Sequence, residues 1–196
     1  MFTGIIEATG TAAGITHDKG NLELWVASPI SGELKIDQSV SHNGICLTVV
    51  ELAPGRHRVT AIEETLRKTN LGELHEGQVI NIERCMAANG RFDGHIVQGH
   101  VDQTGECLSA KDENGSWLYE FRYTPTAQNI IVEKGSICIN GVSLTAFDAV
   151  DDRFKVAIIP YTYEHTNIHE VQPGTKVNLE FDIVGKYVAR LMNFKS

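Results

Sequence analysis

The chain states itself twice, about half its length apart, and this limits it to folds built from two like units. Asn43-Gly44-Ile45-Cys46-Leu47-Thr48 returns 97 residues on as Asn140-Gly141-Val142-Ser143-Leu144-Thr145. Glu64-Thr65-Leu66-Arg67-Lys68-Thr69-Asn70-Leu71 returns as Tyr161-Thr162-Tyr163-Glu164-His165-Thr166-Asn167-Ile168 with the same shift, as does Gly77–Glu83 at Gly174–Glu180. The front end, Gly4-Ile5-Ile6-Glu7-Ala8-Thr9-Gly10, is echoed 95 residues later by Gly99-His100-Val101-Asp102-Gln103-Thr104-Gly105. A constant register over four separated segments means one fold built twice. Each copy receives roughly 95 residues, enough for a single hydrophobic core. Two copies make two similar pockets, which suits a protein that handles two similar small molecules.

The local pattern is strand-like: short alternating runs broken by Gly, Asn, Asp and Pro. Leu22-Glu23-Leu24-Trp25-Val26 follows the turn signal Asp18-Lys19-Gly20-Asn21, and Trp117-Leu118-Tyr119-Glu120-Phe121 follows Asp112-Glu113-Asn114-Gly115. Both read as hairpins in which Gly supplies the positive φ. About six strands per copy at short spacing predict an all-β fold of two small closed barrels, since closure removes exposed edges. The predicted units are 1–94, 95–182 and a helix over 183–196, with Arg84 to Gly94 as the connector. In that helix Asp182 is the cap, and Val184, Tyr187, Val188 and Leu191 fall on one face. Docking on its own barrel is the simple alternative; because the first copy has no counterpart to it, its apolar face is assigned to a subunit contact.

The net charge of −8 argues against a nucleic-acid or anionic-membrane surface, and no basic run appears. No apolar stretch approaches spanning length, and the N-terminus lacks the features of a signal peptide. The four cysteines, Cys46, Cys85, Cys107 and Cys138, show no C-x-x-C spacing and read as reduced thiols of a cytoplasmic protein.

In each copy the strand after the Asn-Gly turn carries a polar pair opposite an apolar row. Cys46 and Thr48 oppose Ile45, Leu47 and Val49; Ser143 and Thr145 oppose Val142 and Leu144. Solvent exposure alone would give such a pair, but recurrence with the same turn in both copies favours a site. Cys46 presents a thiol that can ionise where Ser143 presents a hydroxyl that cannot. His95 and His100 are five apart, which on a strand sends them to opposite faces, so they cannot share a metal there; at least one reads as an acid–base group. Other histidines, such as His17, His57 and His169, sit in polar, turn-like stretches and receive no functional reading. Glu64-Thr65 and Tyr161-Thr162 end strand-like runs, at what would be a barrel rim, and Pro160 reads as a strand terminator.

These motifs together resemble the riboflavin synthase family. The likeness rests on Met1-Phe2-Thr3-Gly4-Ile5-Ile6-Glu7, Asn43-Gly44-Ile45-Cys46-Leu47-Thr48, Glu64-Thr65-Leu66-Arg67 with Thr69-Asn70-Leu71, Gly94-His95 with Gly99-His100-Val101, Gly141-Val142-Ser143-Leu144-Thr145, and Ile159-Pro160. The resemblance implies two six-stranded Greek-key barrels and a C-terminal helix that assembles a homotrimer. It implies dismutation of two 6,7-dimethyl-8-ribityllumazine molecules to riboflavin and 5-amino-6-(ribitylamino)uracil, the last step of riboflavin biosynthesis. One substrate molecule oxidises the other, so neither a metal nor a redox cofactor is expected; an association with lumazine synthase is. By motif, the first pocket would hold Gly4, Ile5, Ile6, Cys46, Leu47, Thr48 and the strand Thr60, Ala61, Ile62, Glu63, Glu64, Thr65. The second would hold Gly99, His100, Val101, Lys134, Ser143, Leu144, Thr145 and the strand Ala157, Ile158, Ile159, Pro160, Tyr161, Thr162. Phe2 and Thr3 would help to close the site, and Cys46, His100 and Ser143 would lie nearest the bond making. Asn140 replaces an Asp common in the family; an amide cannot take a proton, which moves any base role there to His100 or Asp182.

Three other readings compete. A non-catalytic antenna protein of the same fold would hold one lumazine or flavin unchanged, a flavin-dependent reductase barrel would purify yellow, and a purely structural barrel would bind nothing.

Overall fold

The computed structural model describes residues 1–194, so the end of the expected 183–196 helix, Lys195 and Ser196, lies outside the described residues. The repetition becomes two closed antiparallel barrels of six strands each. The first comprises β1 (Ala8–Asp18), β2 (Asn21–Ala27), β3 (Ser39–His42), β4 (Ile45–Ala53), β5 (Arg56–Ala61) and β6 (Val79–Arg84). The second comprises β7 (Gln103–Asp112), β8 (Trp117–Arg122), β9 (Ser136–Ile139), β10 (Val142–Val150), β11 (Arg153–Ile158) and β12 (Lys176–Phe181). Around the first barrel the order is β1-β2-β5-β4-β3-β6, and the second reproduces it strand for strand. The jump from β2 to β5 and the return through β4 and β3 form the Greek-key connection.

Alternation decides which face turns inward. Leu22, Leu24 and Val26 of β2 are buried, as are Phe154, Val156 and Ile158 of β11. Each such burial contributes ~1.5–3 kcal/mol. Outside, Trp25 lies under the Arg56 guanidinium, 4.7 Å from its ring centre. The β1–β2 turn places Lys19 and Gly20 at φ of 47° and 88°, and the β7–β8 turn places Asn114 and Gly115 at 55° and 124°. Bulges at Ala12–Gly14 and Cys107–Ser109, matching points of the repeat, bend the long first strands around the barrels.

Three expectations need correction. The runs Thr60 to Thr65 and Ala157 to Thr162 are not continuous strands. β5 stops at Ala61 and β11 at Ile158, and each is followed by a short helix, α1 (Glu63–Lys68) and α2 (Pro160–His165). Glu63 and Glu64 occupy the first turn of α1, and Arg67 and Lys68 the last, in favourable register with its dipole. Pro160 starts α2 at a position where a missing N–H costs nothing, rather than ending a strand. His57 is likewise not in a turn: it lies on β5, fully buried.

The C-terminal helix α3 (Ile183–Asn193) is capped by Asp182, whose carboxylate accepts from the Val184 N–H at 2.9 Å. Ala189 packs inward and Lys186 pairs with Asp102 at 2.6 Å. Val184, Tyr187, Val188 and Leu191 are all exposed.

The barrels meet across an approximate two-fold axis. Phe2 and Val97, equivalent residues of the two copies, form a reciprocal bridge: Phe2 N–H donates to the Val97 carbonyl at 2.7 Å and Val97 N–H to Phe2 at 3.2 Å. The Asn-Gly turns abut so closely that a Cβ on Gly44 would lie 2.7 Å from the Gly141 nitrogen. Asn43 Oδ1 accepts from Asn81 N–H and Asn140 Oδ1 from Asn178 N–H, both at 2.8 Å. Asn81 Nδ2 then donates across to the Asn140 carbonyl, and Asn178 Nδ2 to the Asn43 carbonyl, both at 2.9 Å. Asn140, read from sequence as a position bearing on proton transfer, is a buried part of this junction. Its amide oxygen serves a backbone N–H.

Candidate active site

Each half of the candidate site starts from the polar pair after the Asn-Gly turn. Ile45, Leu47 and Val49 fill the first barrel, leaving Cys46 half-buried and Thr48 exposed on the other face. The second barrel places Ser143 and Thr145 in the same way. The neighbours of these residues come from the opposite copy. Cys46 N–H donates to the Gly99 carbonyl at 2.8 Å, and Ser143 N–H donates to the Gly4 carbonyl at 2.8 Å. The sequence grouping is therefore reversed: Gly4, Ile5 and Ile6 attach to the Ser143 strand, and Gly99, His100 and Val101 to the Cys46 strand. Both glycines have positive φ, and a Cβ on either would lie 2.6 Å from the Cβ of Ser143 or Cys46 respectively. Intrachain duplication hid the exchange, because the two grouping schemes contain the same residues.

Around Cys46 there is a cavity of about 190 Å³, lined by Ile45, Ile62, Glu64, Thr65, Lys68, Thr69, Gly99, His100 and Val101. Thr60 and Ala61 lead into it from β5, with Ala61 buried, while Glu63 opens α1 on the exposed side. His100 is held by its backbone N–H, leaving an exposed imidazole at the cavity wall. Burial pushes the Cys46 thiol up, against a hydrogen bond with Ser39 that lowers it. The shift works against ionisation of Cys46, the property that distinguishes it from Ser143.

On the other side, Ile5 occupies the place equivalent to His100, and Ile159 and Tyr161 stand exposed where Ile62 and Glu64 stand in the first copy. Tyr161 stacks on His165 with ring centres 4.0 Å apart. Ala157 and Ile158 end β11, and Pro160 and Thr162 lie on α2. Leu144 is half-buried against the second core. Lys134 is on the exposed turn before β9, with its ammonium 4.7 Å from the Phe147 ring centre.

His95, an acid–base candidate with His100 by sequence but assigned to neither pocket, stands beside Ser143. His95 Nδ1 lies 2.7 Å from Ser143 Oγ, in one hydrogen bond whose direction depends on the tautomer. Its Nε2 is buried and, among the described residues, has no hydrogen-bond partner. Burial pushes the His95 pKa down, and the nearby Asp182 carboxylate opposes this. Neither His95 nor His100 is on a strand, so counting by two could not locate them. Spacing holds no signal for such an irregular segment.

Two buried glutamates hold the crossing segments. Glu83 of β6 accepts from Thr3 N–H at 2.7 Å, Thr3 Oγ1 at 2.8 Å and Gly4 N–H at 3.0 Å. Glu180 of β12 accepts from Gln98 N–H at 2.6 Å and from Gly99 and His100 N–H, both at 2.9 Å. Burial raises both carboxyl pKa values despite these bonds.

Comparison with known proteins agrees with this duplication. The lumazine binding domain matches residues 3–85 and again 98–182. The riboflavin synthase of Actinobacillus pleuropneumoniae is 42% identical over 194 residues, covering 98% of this chain and 90% of that protein. That of Mycobacterium tuberculosis (strain ATCC 25618 / H37Rv) is 40% identical over 197 residues, covering 98% of each. Among solved structures, LumP complexed with riboflavin superposes with a TM-score of 0.86 at 21% identity, over 92% of this chain and 99% of that one, a likeness of fold. A chain with both lumazine-binding repeats in one polypeptide, and this likeness along nearly its whole length, belongs to the riboflavin synthase family.

Proposed function

We propose that the chain converts two molecules of 6,7-dimethyl-8-ribityllumazine into riboflavin and 5-amino-6-(ribitylamino)uracil, one molecule giving a four-carbon unit to the other. The observation that carries this reading is the pair of related but unequal polar sites, of which the one at Cys46 opens on a cavity. One offers the Cys46 thiol and the His100 imidazole; the other offers the Ser143 hydroxyl bonded to His95. The ring of the lumazine acidifies its 7-methyl group, so a modest base such as an imidazole suffices to remove a proton. The resulting carbanion attacks the second ring. Holding two rings in a reactive orientation supplies up to roughly 7–11 kcal/mol of the barrier reduction. Cys46, His100 and Ser143 stand nearest the reacting atoms, and His95 orients Ser143. The segments Thr60 to Thr65 and Ala157 to Thr162, each running from a strand end into a short helix, with Leu47, Thr48, Leu144, Thr145 and Lys134, complete the substrate contacts.

The exposed apolar face of α3 supports a homotrimer in which the first barrel of one subunit faces the second barrel of a neighbour. A cytoplasmic location and association with lumazine synthase extend the same reading. Among the described residues no helix is long and apolar enough to cross a membrane.

The test is incubation of purified protein with the lumazine and no added cofactor. One riboflavin formed for every two lumazines consumed is expected. A single bound lumazine that stays fluorescent and unchanged would favour an antenna protein instead. Deletion of the chain from Ile183 onward is expected to lower the sedimentation coefficient to that of a monomer; an unchanged trimer removes the helix from assembly.

A further inference from the structure

We propose that Glu83 and Glu180 are crossed positioning residues: each carboxylate, rooted in the last strand of one barrel, sets the segment that completes the pocket of the other. The proposal rests on the reading of the two pockets as lumazine sites, and adds what holds each one open and in register.

The route from Glu180 is short. Its two carboxylate oxygens collect the N–H groups of Gln98, Gly99 and His100. Those residues belong to no strand or helix and follow directly on the isolated bridge at Val97. The Gly99 carbonyl then receives the Cys46 N–H, and His100 and Val101 form one wall of the Cys46 cavity. A carboxylate of the second barrel thus shapes the pocket of the first. Glu83 repeats this in the opposite sense. It gathers Thr3 and Gly4, whose carbonyl at Gly4 receives the Ser143 N–H. Both glutamates are almost wholly buried, and removing either leaves several buried N–H groups without an acceptor. An irregular segment so deprived loses its fixed path, while the ladder of its own barrel keeps its backbone bonds.

A merely structural glutamate would loosen the barrel that carries it; a crossed one loosens the pocket across the axis. Alkylation by iodoacetamide, located by mass spectrometry, distinguishes these without any lumazine present, so the result stands whether or not the protein makes riboflavin. With Glu180→Ala, Cys46 is expected to alkylate at least tenfold faster, and with Glu83→Ala within twofold of the parent. In a Ser143→Cys background the order reverses: Glu83→Ala accelerates reaction at position 143 and Glu180→Ala does not. Glu83→Gln and Glu180→Gln, which keep the shape but turn an amide N–H toward donors, should give the same crossed pattern more weakly. They carry the test if the Ala variants fail to fold. In a two-site titration with 6,7-dimethyl-8-ribityllumazine, each Gln variant is expected to weaken one site about tenfold and spare the other. Same-barrel effects, equal acceleration at both positions, or no acceleration would each overturn the proposal.

Discussion

The interiors of the two barrels differ although their strand orders agree. In the first, His57 Nε2 lies 2.8 Å from His42 Nε2, and His57 Nδ1 lies 2.8 Å from Ser31 Oγ. His42 Nδ1 reaches the Val40 carbonyl at 3.1 Å. One proton arrangement satisfies all three: His42 donates to Val40, His57 donates to His42, and Ser31 donates to His57. Both rings are then neutral. At the matching places the second barrel has Ile139 and Phe154, packed with Phe121, Tyr123 and Phe181. Closure and register specify the barrel; what fills it sets the conditions under which it stays folded.

The largest expected effect of a single substitution comes from the aromatic side. Phe154→Ala should cost ~3–5 kcal/mol by leaving a cavity beside Phe121 and Tyr123. The chain has two tryptophans, Trp25 and Trp117, one in each barrel. Urea unfolding followed with a Trp25→Phe variant and a Trp117→Phe variant therefore reads each barrel separately, and Trp117 should respond first.

Acid should reverse that order. Burial, helped by the charge of its neighbour, pushes His42 down to about 3, and burial pushes His57 down to about 4, from the ordinary 6.5. The unfolded chain takes up these protons first. Stability is therefore complete above pH 6.5 and falls as pH drops toward the folded values. The loss at pH 4 should be ~3 kcal/mol from each histidine, about 6 kcal/mol together, sensed by Trp25 before Trp117. Glu83 and Glu180 shift oppositely, but there is one in each barrel and the comparison cancels them. Combining Ser31→Ala, His42→Ile and His57→Phe should make the first barrel as acid-resistant as the second. Persistence of the early Trp25 transition would assign it to other groups.

The pockets provide smaller contrasts. Ser143→Ala removes the His95 partner and should reduce kcat by roughly 10–100-fold, in the range of lost positioning and proton transfer. Cys46→Ser keeps a small polar group and should cost about tenfold or less. Equal losses would mean that the two pockets are not chemically distinct. The smallest effect expected is from Asn140→Asp. The carboxylate still accepts from the Asn178 N–H, so activity should stay within about tenfold of the parent; near-complete loss would make the amide itself necessary.

Much of this was legible in the sequence because alternation and repetition are long-range, redundant signals. Leu22, Leu24 and Val26, echoed at Trp117, Tyr119 and Phe121, announce inward faces and matching hairpins. The polar pairs at Cys46 and Ser143 were legible for the same reason. The short helices α1 and α2 were not, since six residues give less than two turns of period. The His42–His57 contact joins β3 to β5, strands that are not neighbours in the sheet, and neither histidine lies in a recognisable motif. The exchange of Gly4 and Gly99 between copies was invisible because a repeat tells which segments are equivalent, not which ones touch.

The reciprocal bridge between Phe2 and Val97 has the form of a two-fold dimer folded into one polypeptide. A single ancestral unit could grip an identical twin by the same contact, each lending its leading segment to the other. Such a symmetric pair must present identical side chains on both sides. Tandem fusion lifts that constraint, and only afterwards can His100 stand where its counterpart is Ile5. An uneven reaction between two identical molecules then becomes accessible to a scaffold that began as an even one.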